Sequence, residues 1–65
     1  MTVFAGILHD TYPDENGKEI AYTEKIVAVR KKGFYKCTSL PDFDTFEMSA
    51  KDFSEKVSEL RVVFN

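Results

Sequence analysis

The sequence predicts a small α+β domain, mainly antiparallel β, built as a curled sheet or partly open barrel of four to five strands with one short helix near the C-terminus. Three observations lead there. From Thr2 to Leu40 the apolar residues alternate or stand in short β-branched and aromatic runs, as in strands. The turn formers Asn16-Gly17, Lys31-Lys32-Gly33 and Pro41-Asp42 divide those runs at hairpin spacing. Helical spacing occurs in one segment only, the one that follows Ser49.

Thr2 to His9 reads as the first strand, with Val3, Ala5 and Ile7 on one face and Phe4 and Leu8 on the other. Apolar residues on both faces predict a central or well-covered strand. Gly6 in its middle marks a bulge, a bend or a close backbone approach. Asp10 to Lys18 is expected as a loop, with Pro13 restricting the backbone before Asn16-Gly17 turns it. Glu19 to Lys31 returns as a second strand whose length calls for a bend near Glu24-Lys25.

Gly33 supplies a positive φ for the next turn, and Phe34 to Leu40 alternates as a third strand. Pro41-Asp42 breaks it, and Phe43 to Met48 is expected as a short fourth strand with Phe46 and Met48 on one side. Ser49 is placed as an N-cap, Asp52 three residues on suits the first helical turn, and Met48 and Phe53 have staple spacing. Phe53, Val57 and Leu60 form a stripe that predicts a helix from Ala50 to about Glu59. Arg61 to Phe64 then closes the domain as a strand, or else the helix runs on. The order fits a partly open five-stranded barrel of the SH3-like kind. The alternative is a three- or four-stranded sheet covered on one face by the helix.

With 65 residues the chain has room for one domain. Six Phe and three Tyr can supply a core without disulfide or metal, for a stability on the order of 3–10 kcal/mol. A folded radius of gyration of about 11 Å is expected, with little space for an enclosed cavity. The single Cys37 forms no internal disulfide, no signal segment opens the chain, and the uncharged stretch Met1–Leu8 is too short to span a bilayer. These features predict a cytoplasmic protein. The net charge of −2 names no partner.

The chemistry-bearing residues form no recognisable active site. His9 and Asp10 are adjacent, so they point to opposite faces of a strand. Cys37 could pair with His9 only if both were presented together, and cysteine at a strand position is usually core. Neither has zinc-ligand spacing. The acids of Asp10–Glu19 fail the calcium-loop pattern: with Gly17 at position six, Tyr12 and Thr23 fall where carboxylates belong. No metal or cofactor is expected.

Two binding readings remain. The first is a non-enzymatic protein that occupies the surface of a protein target through a sheet edge or the helix face, with Tyr12, Tyr22, Arg30, Lys32 and Tyr35 as contacts. By analogy of size and style alone, such chains are similar to phage early proteins that modulate or inhibit one host protein. The second is a nucleic-acid-binding small β-barrel using Arg30, Lys31, Lys32, Tyr35 and Lys36, where cations alternate with rings suited to phosphates and bases. Against the second stands the acidic overall charge. The acids Asp42, Asp44, Glu47, Asp52, Glu55 and Glu59 raise the mirror possibility of a negative face. A free sheet edge would also permit a homo-oligomer.

Overall fold

Period-two apolar runs joined by tight turns fold into a single antiparallel sheet. The structure is a computed structural model that describes Met1–Asn65. Its elements are β1 (Val3–Pro13), β2 (Glu19–Arg30), β3 (Phe34–Leu40), β4 (Thr45–Ser49), α1 (Ala50–Lys56) and β5 (Val57–Phe64). The strand order is β4-β3-β2-β1-β5, so the chain meanders through four strands and then returns β5 to the far side of β1. The sheet is not closed, and β4 and β5 are its edges.

The first hairpin is longer than its turn residues suggest. β1 continues through Asp10–Pro13, which pair with Tyr22 down to Glu19, so the expected loop shrinks to Asp14–Lys18. Asp14 explains the tight closure. Its Oδ1 accepts from the amides of Asn16 and Lys18, both at 2.8 Å. The Gly17 amide donates to the Asp14 carbonyl at 3.0 Å, and Gly17 itself takes φ +79°. β2 runs unbroken through the bend expected near Glu24-Lys25. At that point its pairing with β3 ends, at Lys25↔Leu40. β5 likewise stops opposite Leu8. The hairpin beyond these points is a two-stranded arm, which stretches the molecule to 43 × 24 × 19 Å. It also accounts for a radius of gyration of 12.4 Å, above the 11 Å or so expected of a compact chain.

Residues directly opposite one another share a face of the sheet. The inner face carries Leu8, Ile26, Ala28 and Cys37, buried together with Phe53 of the helix. Tyr35, Phe46, Met48 and Val57 pack around them. Tyr35 lies flat on Phe53, with ring centroids 3.7 Å apart and planes 7° from parallel, and Phe4 meets it edge-on at 6.1 Å. The helix starts where expected: the Asp52 amide donates to Ser49 Oγ at 3.1 Å.

Three further boundaries differ from the sequence reading. The helix ends at Lys56 and not near Glu59, so Val57 and Leu60 belong to β5, not to a helical stripe. The competing demand is β1's open edge, whose backbone groups pair with β5 from Leu8↔Val57 to Val3↔Phe64. β-branched Val57, Val62 and Val63 suit that strand. The final strand is thus twice as long as Arg61–Phe64, and the helix does not run on. β4 begins at Thr45, because Phe43 is drawn into the preceding loop with φ +63° and its amide bound to the Ser39 carbonyl.

β5 is irregular. Its register on β1 shifts on either side of Phe4–Ala5, so Glu59 and Leu60 bulge opposite the single residue Gly6, and Glu59 takes φ +54°. Such bulges blunt an edge against pairing with another strand. The helix covers only the inner face. On the outer face Val3, Ala5, Ile7, Val27, Val29 and Leu40 stay half-exposed, so the covering on both sides expected for β1 is supplied on one side only.

Candidate functional site

The curl of the sheet around α1 leaves one groove on the inner face, between the helix, the base of the arm and the loop from β3 to β4. Its volume is about 470 Å³. Leu8, Tyr22, Phe46 and Met48 form its apolar lining, while Asp10, Glu24, Asp44 and Asp52 bring carboxylates. Glu47 adds another at the lip. Strand register explains the mixture. Leu8 stands opposite Glu24 and Asp10 opposite Tyr22, so apolar and acidic groups alternate in a checkerboard on one face. Phe46 and Met48 extend it from β4, opposite Cys37 and Tyr35, and Asp52 enters from the first helical turn.

One cation answers these acids. Lys56 Nζ lies 3.5 Å from Asp10 Oδ1, with both side chains about a third exposed, a geometry that contributes little stability. Its effect is on the local field. The Tyr22 phenol is pushed above the ordinary tyrosine value, first by burial and then by the charges of Asp10 and Glu24, with Lys56 pulling the other way. The carboxylates ring the groove without converging: no three His, Cys, Asp or Glu side chains are placed to hold a metal ion.

The sequence-predicted contacts fall into two groups. Tyr12 and Tyr22 meet on the arm with centroids 5.8 Å apart and planes tilted by 55°, at the groove's end. Arg30, Lys32 and Tyr35 lie near the opposite end of β2. Eight residues separate Tyr22 from Arg30, about 26 Å of extended strand. Tyr35 is a packing residue, since Phe53 occupies one face of its ring. The nucleic-acid set also divides. Arg30 and Tyr35 pair on the inner face, Lys36 pairs with Val29 on the outer face, and Lys31 and Lys32 sit exposed in the turn.

His9 and Cys37 are on opposite faces. Cys37 is fully buried, and burial pushes its thiol up. His9 Nε2 lies 2.7 Å from Ser58 Oγ, tying β1 to β5, but no carboxylate holds the other ring nitrogen and no cavity adjoins the pair. Sequence reasoning missed Glu24, Phe46 and Met48 as lining. It noted Asp44 only as a member of an acidic run, and Asp52 as that and as an acid of the first helical turn. The available signal was the parity of Leu8, Asp10, Tyr22 and Glu24, which becomes a surface only when the hairpin register is known.

No helix is long and apolar enough to cross a membrane. No protein-family model, curated protein or solved structure matches the chain.

Proposed function

We propose that this chain is a non-enzymatic binding protein that acts on another protein in the cytoplasm, holding it in the groove beside the hairpin arm. The observation that carries this reading is the groove itself: an open concavity whose apolar lining includes Tyr22, which packs at a tilt against exposed Tyr12. Aromatic anchors beside apolar lining are what interface hot spots are made of. The groove offers no paired nucleophile and base, so its effect on a partner would be occupancy, with inhibition as the direct consequence.

Affinity capture with the tagged protein, with and without nuclease, tests this. The expected result is a partner that survives nuclease and is lost on Tyr22→Ala, in a variant whose amide spectrum shows an intact fold. A partner that vanishes with nuclease, or that is retained by Tyr22→Ala and lost on Lys31→Ala/Lys32→Ala, overturns the assignment in favour of the basic turn.

A further inference from the structure

We infer that the groove receives a lysine- or arginine-bearing peptide segment of its protein partner, an inference that rests on the binding reading above and specifies its chemistry. Charge is the first argument. Asp10, Glu24, Asp44 and Asp52 against Lys56 leave the groove more negative than the whole chain, whose net charge is −2. The rest of the surface is therefore net positive, and the negative charge is concentrated where the molecule is concave. A cleft of one sign focuses the field and attracts the opposite charge.

The second argument is independent of the acids. Leu8, Tyr22, Phe46 and Met48 line the same groove, so a ligand that fills it brings carbon surface as well as charge.

An ammonium or guanidinium on an aliphatic stem meets both requirements. Its head reaches the carboxylates, and its methylenes lie along Leu8, Phe46 and Met48. Tyr22 offers a ring face for the cation. A bare metal ion fits poorly because the acids do not converge. A phosphate backbone would be repelled.

The test is an amide-resolved NMR titration of the full chain with a short blocked peptide alternating Lys or Arg with Leu. A matched peptide with citrulline in place of every Lys and Arg serves as control. The expected result is shifts at Leu8, Tyr22 and Ser39, absent with the citrulline peptide. Glu24→Gln/Asp44→Asn is expected to weaken binding about tenfold, since two exposed ion pairs are removed.

Equal binding of the citrulline peptide, shifts confined to the basic turn, or no shifts at millimolar peptide would overturn the inference. The two proposals fail separately. If Tyr22→Ala abolishes capture of the partner while Glu24→Gln/Asp44→Asn leaves it intact, the groove is the binding site and its ligand is not cationic.

Discussion

Gly6→Ala puts the packing of β5 on β1 to a quantitative test. In an ordinary strand the added methyl would stabilise the fold by about 0.5–1 kcal/mol, because glycine loses more backbone freedom on folding. Gly6 is buried opposite the β5 bulge. A Cβ built there would lie 2.7 Å from Val57 Cγ1, 3.1 Å from the Ser58 carbonyl oxygen and 3.5 Å from Leu60 Cδ1. The first distance is a steric overlap with a β-branched side chain that has few rotamers to escape into. The second involves backbone that is itself paired to β1. Overpacking of this kind costs about 1–3 kcal/mol, so the net effect is a destabilisation of about 1–2 kcal/mol.

Against a total stability of about 3–10 kcal/mol for a chain of this length, that is a large fraction. It corresponds to a Tm lower by roughly 5–15 °C. Urea unfolding followed by far-ultraviolet circular dichroism should show a reduced midpoint with unchanged slope. Val57→Ala in the Gly6→Ala background should cost less than Val57→Ala alone, because it removes the clash along with the contact. If Gly6→Ala is as stable as the parent and the two substitutions are additive, the close approach of β5 to β1 is wrong.

Ser49→Ala removes the acceptor for the Asp52 amide and should cost about 1 kcal/mol, read from the urea midpoint. Tyr35→Ala should cost about 2–4 kcal/mol, because the ring is packed on Phe53, while Tyr35→Phe should be nearly neutral; calorimetry separates the two. The Tyr22 phenol should ionise later than a free tyrosine in an ultraviolet titration, first because it is partly buried, and Asp10→Asn should lower it only part of the way. Its folded value is raised, so its contribution to stability is complete below the ordinary value of about 10 and falls as pH rises through the folded value. Cys37 should react with a thiol reagent only as fast as the domain opens; rapid reaction of the native protein would contradict its burial.

Much of the fold was written locally. Strand alternation in Phe34–Leu40, the Asn16-Gly17 turn and the Ser49 cap each depend on residues a few positions apart, and each appears where the sequence places it. Gly6 likewise marked a bulge, a bend or a close backbone approach, and the structure places the β5 bulge against it. The helix end was not legible, because Phe53, Val57 and Leu60 satisfy helical spacing as well as any amphipathic helix does. What overrides that spacing is the unpaired edge of β1, more than forty residues earlier in the chain. The length of β1 was hidden for a similar reason: Asp10–Pro13 look like loop until Tyr22 and Ile20 stand opposite Asp10 and Tyr12.

The candidate site shows the same division. Tyr12 was legible as an exposed aromatic and the acidic runs as charge, whereas Tyr22, expected exposed, is partly buried. That Asp10, Glu24, Asp44 and Asp52 surround one apolar groove depends on a hairpin register, a loop and a helix arriving together. The sequence by itself determined the class of fold, the turns and the helix start, because these follow from backbone preferences and short-range periodicity. Of the nine aromatics expected to build the core, only Phe53 is fully buried, while Tyr12, Phe43 and Phe64 are exposed. Only the tertiary structure decided where the helix stops, which tyrosine is core and which is surface, and which charges share a field. Those depend on hydrogen bonds and contacts between residues far apart in the chain, whose partners no local pattern specifies.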